Sequence, residues 1–232
     1  MIKSKDMQLI LASASQTRKK ILESLGLDFK VIPSHIDEFK ISASNPKLLV
    51  QKIARVKAET VNEKLKEVLT QGAIVCRVDT SFSPPPPLFC HHLILAADSM
   101  VVIDNHIIGK PKDKKDAKTI LKRLSGRTHS FITGLYLINT KTNKSWQKIA
   151  ETKVTFRKLK DREIDDYINK TDVTRFAGAY ATIPPNDFNL KTVKNNKSDI
   201  IKKISGSLTN IMGLPLEILL PILKENGLIN DF

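Results

Sequence analysis

The sequence predicts an α/β fold, and three observations carry the prediction. Apolar runs of strand length, such as Leu9-Ile10-Leu11-Ala12 and Leu93-Ile94-Leu95-Ala96-Ala97, alternate along the chain with longer segments of helical period. Glycine and proline fall at the joints between them, where helix ends and turns call for them. The 232 residues, 41% hydrophobic, are enough to build a packed core. No apolar run approaches the roughly 18 residues of a membrane helix, and Met1-Ile2-Lys3-Ser4-Lys5-Asp6 has no apolar signal core. The expected location is therefore cytoplasmic.

Residues 8–13 read as a buried strand closed by serines. Residues 16–25 read as a helix with Ile21, Leu22 and Leu25 on one face and Gly26 past its end. Phe29-Lys30-Val31-Ile32 alternates as a second strand. Asn45-Pro46 opens a helix whose apolar positions run to Leu69, with Gly72 ending it. Residues 77–92 hold Pro84–Pro87, which fit neither a helix nor an inner strand, and read as a surface insertion in polyproline II form. Residues 93–97 are the strongest strand signal. That strand ends at Asp98-Ser99, Met100–Ile103 continues extended, and Asp104-Asn105-His106 turns. Gly109-Lys110-Pro111 is a tight corner, after which Asp113 caps a helix through Leu124. Residues 129–139 and 146–157 alternate as strands about a turn at 142–144, and Asp161 starts a helix to about Lys170. The polar, lysine-rich segment 184–203 reads as a loop leading into a short strand. Gly213-Leu214-Pro215 opens the last helix, and Gly227 ends it. There is no internal repeat, and the whole of 1–232 is expected to form one domain.

The chemistry gathers at a few places. After the first strand come Ser13 and Ser15, then a helix with Arg18, Lys19 and Lys20 in its first turns. Cations sit badly at a helix N-terminus unless an anion docks there, and serine hydroxyls with free backbone N–H groups make a phosphate site. A surface helix in a lysine-rich chain accounts for the segment equally well. Asp98 directly follows five apolar residues and needs a partner to stay charged. Asp37 and Glu38 are either turn residues or further carboxylates at the mouth of a ligand crevice. Two such carboxylates can hold Mg²⁺ through hard oxygen ligands. Lys57, among small apolar neighbours, and Lys110, between Gly109 and Pro111, either face solvent or complete a cationic cradle. No GxxxxGK[ST] loop is present.

The net charge of +14 points to an anionic partner, but lysines are spread along the whole chain. Aromatics are only 6%, too few for an RNA-stacking strand, so nucleic acid is not the expected partner. Cys76 and Cys90 read as free thiols, and Cys90-His91-His92 matches no tetrahedral zinc spacing.

Four ordered blocks carry a family resemblance. They are Leu11-Ala12-Ser13-Ala14-Ser15-Gln16-Thr17-Arg18; Ala97-Asp98-Ser99; Gly109-Lys110-Pro111 with Leu124-Ser125-Gly126-Arg127-Thr128-His129 and Thr133-Gly134; and Gly178-Ala179-Tyr180 with Ser205-Gly206-Ser207 and Gly213-Leu214-Pro215. Over nearly its whole length the chain resembles the Maf, or septum-formation-inhibitor-like, nucleotide pyrophosphatases. The resemblance implies a mixed twisted sheet with flanking helices and two lobes around a cleft, often as a homodimer. It implies hydrolysis of a nucleoside triphosphate to monophosphate and pyrophosphate, a house-cleaning activity, with Mg²⁺ or Mn²⁺.

In this reading Asp98 is the catalytic carboxylate, and Asp37 with Asp98 serves the metal. Ser13, Ser15, Arg18, Lys57 and Lys110 face the phosphates. Gln16-Thr17 stands where the family has Pro-Arg, Ser99 where it has Thr, and Ile183 where it has Gln. Phe176 stands where it usually has Lys. Thr17, Ser99 and Ile183 thus fall on positions linked to base selection, while the catalytic set is kept. The substrate implied is dTTP or UTP or a modified nucleotide. The alternatives are 7-methyl-GTP, or a weakly active nucleotide-binding regulator of cell division.

Overall fold

A computed structural model describes residues 7–70, 91–182 and 198–230. Gly72, both cysteines, Pro84–Pro87 and Ile183 lie outside the described residues. Seven strands make one mixed sheet: β1 (Met7–Leu11), β2 (Phe29–Val31), β3 (His91–Ile103), β4 (His106–Ile108), β5 (Thr128–Asn139), β6 (Ser145–Phe156) and β7 (Ile201–Ser205). The helices are α1 (Gln16–Ser24), α2 (Pro46–Thr70), α3 (Lys114–Leu124), α4 (Asp161–Lys170), α5 (Leu208–Ile211) and α6 (Leu216–Glu225).

The strand order is β2-β1-β3-β5-β6-β7, with β4 also on β3. β1 runs parallel to β2 and β3, whereas the later pairs are antiparallel. The local chemistry fits these elements. Ser15 caps α1, Asn45 accepts from Leu48 N at 3.0 Å before α2, and Asp113 accepts from Asp116 N at 2.7 Å before α3. Asp104 and Asn105 both have positive φ, 50° and 60°, as a two-residue hairpin between β3 and β4 requires.

Three expectations are corrected. His91 and His92 belong to β3, so the insertion ends earlier than residue 92. β3 does not end at Asp98-Ser99 but runs unbroken to Ile103, because β5 pairs with it from Leu93 to Val102. The lysine-rich segment gives way to β7 at Ile201 rather than after 203. The short helix α5 and three 3₁₀ turns carry too little periodicity to be read from sequence.

Alternation along β3 divides the core. On one face, Leu93, Leu95 and Ala97 pack with Ile21 and Leu22 of α1 and with Leu216, Leu219, Ile222 and Leu223 of α6. Further along the same face, Val101 and Ile103 pack with Leu121 and Leu124 of α3, Ile164 and Ile168 of α4, and Phe131, Val154 and Phe156. Ser99 and its cross-strand partner Thr133 fall between these two cores and make a polar seam. The opposite face, with Ile94 and Ala96, is covered by Ala54, Ala58 and Val61 of α2. The mixed sheet with helices on its faces is the architecture the family resemblance implied.

Helix α2 lies very close to the sheet at Gly134. A Cβ there would come within 2.6 Å of the Val50 carbonyl carbon and oxygen. Glycine at this position therefore sets the distance of α2 from β5, and with it the reach of Lys57 two turns further on.

Candidate active site

β3 carries three strands on two edges. β5 follows one edge, while β1 takes Met7 to Leu11 against His91 to Leu95 and β4 takes Val101 to Ile103 on the other. Between β1 and β4, residues 96–100 have no strand beside them among the described residues. Ala12 N bonds the Leu95 carbonyl at 2.8 Å, after which the chain leaves the sheet into α1. The site sits in this gap, with Asp98 projecting to the α2 face and Ser99 to the other.

On the α2 face, Lys57 Nζ lies 2.9 Å from Asp98 Oδ1 and 2.6 Å from Glu38 Oε1. The Lys57 and Asp98 side chains are each 9% exposed, whereas Glu38 is 49% exposed and forms the mouth. Burial pushes the Asp98 carboxyl above its ordinary range; the charge and hydrogen bond of Lys57 and the charge of Arg18 pull it back, and Glu38 adds to the rise. The result is a carboxylate close to its partner yet easy to protonate. Asp98 and Glu38 are also the two carboxylates that could hold a divalent cation together. No group of three metal-ligating side chains occurs among the described residues.

On the other face, buried Arg18 donates from Nε to the Gly213 carbonyl at 2.8 Å. It also donates from Nη1 to Ser13 Oγ at 3.1 Å and from Nη2 to Ser99 Oγ at 3.0 Å. Ser99 Oγ shares a hydrogen bond with Thr133 Oγ1 at 2.9 Å, and Thr133 donates to the Asn210 carbonyl at 3.4 Å. Asn210, fully buried, donates to the Phe131 carbonyl and to Thr152 Oγ1, both at 3.0 Å. Gly213, with φ +88°, turns its carbonyl toward Arg18 in a conformation other residues rarely adopt.

Four of the sequence-predicted residues do not gather as expected. Asp37 caps the 3₁₀ turn by accepting from Phe39 N at 3.2 Å and pairs with Lys40, so it does not reach the cluster; Glu38 does. This correction turns on a tight turn that points neighbouring side chains in different directions. Lys110 is exposed at its corner, with no ion pair among the described residues. The Gly109 carbonyl accepts from Gly178 N at 3.0 Å, which ties this corner to the Gly178-Ala179-Tyr180 block. Ser15 is engaged as the α1 cap, and Thr17 is half-buried beside it. Two surface cavities, of about 440 and 510 Å³, lie elsewhere: one along Ser42, Leu48 and Lys52, the other along Glu151, Ser207 and Glu217.

The Maf-like protein family model matches residues 8–226, which takes in the sheet, the gap and both polar groups around it. The chain belongs to the Maf family. Its similarity to individual members extends over nearly its whole length. A dTTP/UTP pyrophosphatase of Thermoanaerobacter sp. (strain X514) is 35% identical over 219 residues, covering 94% of this chain and 96% of the relative. One of Clostridioides difficile (strain 630) is 34% identical over 226 residues, covering 97% and 98%. One of Treponema denticola is 36% identical over 225 residues, covering 94% and 96%. This Maf protein also has no helix, among the described residues, long and apolar enough to cross a membrane.

Sequence reasoning weighed Glu38 with Asp37 but gave the metal role to Asp37, and it assigned no site role to Thr133, Asn210 or Gly213. A visible signal existed for Thr133-Gly134, which stood in one of the family blocks without an assigned role. Asn210 lies in a four-residue helix that offered none.

Proposed function

We propose that this protein hydrolyses dTTP and UTP between the α- and β-phosphates, giving the nucleoside monophosphate and pyrophosphate. The observation that carries the reading is the Asp98–Lys57–Glu38 cluster in the gap of the sheet. The names of its relatives supply the substrate class.

Asp98 is the proton acceptor. Burial keeps its carboxyl high enough to take a proton from an attacking water, and before substrate binds one of its oxygens is held by Lys57. The water oxygen bonds to phosphorus, the bridging P–O bond breaks, and the electron pair leaves with pyrophosphate. Lys57 and Arg18 place positive charge where the phosphates gather negative charge. Ser13, Ser15 and Lys110 bind phosphate oxygens at the rim. Asp98 and Glu38 would hold Mg²⁺ or Mn²⁺, since two carboxylates meeting at one point suit a hard cation that takes its other ligands from substrate and water. The cation, when bound, supplies Lewis-acid stabilisation of phosphoryl oxygens. Thr17, Ser99 and Ile183 set the base preference. The two lobes share one sheet, and we take the chain to work as one domain.

The test is pyrophosphate release from a panel of nucleoside triphosphates, 7-methyl-GTP included, with Mg²⁺ or Mn²⁺. Release from dTTP and UTP that Asp98→Asn abolishes is the expected result. A panel on which the parent protein does no better than Asp98→Asn overturns the reading.

A further inference from the structure

Lys57 already occupies both carboxylates. Its ammonium lies 2.9 Å from Asp98 Oδ1 and 2.6 Å from Glu38 Oε1, with Lys57 and Asp98 nearly buried. Arg18 feels the charge of both carboxylates from the far side of the gap. The cluster thus holds two positive groups, Lys57 and Arg18, against two negative groups, Asp98 and Glu38, and is balanced within itself.

A balanced cluster whose Lys57 and Asp98 are nearly buried resists any single added charge. A divalent cation on Asp98 and Glu38 would leave Lys57 and Arg18 uncompensated beside it, and like charges at such range repel strongly where water is scarce. A triphosphate alone would meet two carboxylates. Cation and triphosphate arriving together offset one another: the phosphates take Lys57, and the carboxylates so released take the cation.

We propose that Lys57 makes metal binding conditional on the nucleotide, so that the site takes a divalent cation and a triphosphate as a pair and takes the cation alone only weakly. The inference rests on the proposed nucleotide hydrolysis for the identity of the anion, but not for the competition between Lys57 and a cation. It assigns Lys57 a second task beside phosphate binding. Lys57 keeps the two carboxylates apart from solution cations until the substrate draws it away.

The experiment titrates Mn²⁺ and reads the free ion by electron paramagnetic resonance, with and without a non-hydrolysable α,β-methylene analogue of UTP. The parent protein is expected to bind Mn²⁺ at least about tenfold more weakly without the analogue than with it. Lys57→Met leaves the two carboxylates opposed by Arg18 alone, and Mn²⁺ without nucleotide should then bind about tenfold more tightly than to the parent. Parent protein that binds Mn²⁺ equally well with and without the analogue overturns the proposal, and so does Lys57→Met that binds it no more tightly.

Should Lys57→Met fail to fold, as judged by circular dichroism, Glu38→Gln replaces it, because Glu38 is half-exposed. There Mn²⁺ binding in the presence of the analogue should fall about tenfold, and an unchanged affinity overturns the proposal. Absence of pyrophosphate release overturns the proposed activity instead, and leaves the nucleotide-free comparison of Lys57→Met with the parent to stand on its own.

Discussion

Asp98 and Ser99 are neighbours in sequence and lie on opposite faces of one strand, in two different kinds of polar environment. On the α2 face, Asp98, Lys57 and Glu38 are all charged, and Glu38 opens to solvent. On the other face, Ser99, Thr133, Asn210, Ser13 and the Gly213 carbonyl are all neutral and surround the single charge of Arg18. The first group is held together by charge and can be rearranged by a ligand of either sign. The second is held by directed hydrogen bonds and joins α1, β3, β5 and the segment before α6 across the seam between two cores. The difference separates chemistry from architecture within a single pair of residues.

The largest test of that division is Asp98→Asn. It should lower kcat for pyrophosphate release by about a thousandfold while thermal stability holds, since the amide keeps the volume and needs no buried charge. Next is Arg18→Met, which should act on folding as well as on turnover. Leaving the Gly213 carbonyl, Ser13 and Ser99 without their donor should cost about 3 kcal/mol in urea unfolding. An Arg18→Met protein as stable as the parent would leave Arg18 with its phosphate role alone and remove the architectural half of the comparison.

Acid should weaken the architectural side on its own. His129, 2% exposed, is held neutral by burial at a pKa of about 4, with Nε2 against the Tyr180 hydroxyl at 2.9 Å and Nδ1 unpartnered. An unfolded histidine titrates near 6.5, so the unfolded chain binds more protons between these values. Stability is then complete above about pH 6.5 and falls toward pH 4, by about 3 kcal/mol in all. His129→Phe should flatten that window in unfolding measured at pH 7 and pH 5.

Gly134→Ala comes next. Forcing α2 off β5 should cost about 2 kcal/mol and also reduce activity, because Lys57 rides on α2. Ser99→Ala is the smallest, at about 1 kcal/mol, with the kcat/KM ratio between bases shifted and kcat itself unchanged. A large fall in kcat there would join the two faces into one functional unit.

Much of this was legible beforehand, for local reasons. Asp161 at the head of an amphipathic stretch marks α4 to its last residue, Lys170, because one face of that helix is buried and the other is not. Asp113 marks α3 through its cap. Asp98 was identified as special because an isolated carboxyl after five apolar residues needs a partner, and its partner proves to be Lys57. What could not be read are non-local matters. The apolar run stops at Asp98, yet the strand continues because β5 bonds it beyond that point. Whether Asp37 or Glu38 turns inward depends on a 3₁₀ turn whose direction is set by the chain around it. The engagement of Arg18 with Gly213 joins positions 195 apart in sequence, which no periodicity records.

The gap in β3 has a consequence for self-association. A bare strand edge invites a stray chain to add to it, and sheets are usually guarded against this. Here the outer edges are guarded: β2 is three residues long, and β7 presents exposed Lys202 and Lys203. The interior edge at 96–100 is left unguarded by any side-chain device, and its safety comes from length. Five residues walled in at both ends by β1 and β4 cannot take a strand that runs on past them. The opening therefore admits something compact and rejects something extended. An aggregation hazard has been cut down to a slot between two strands.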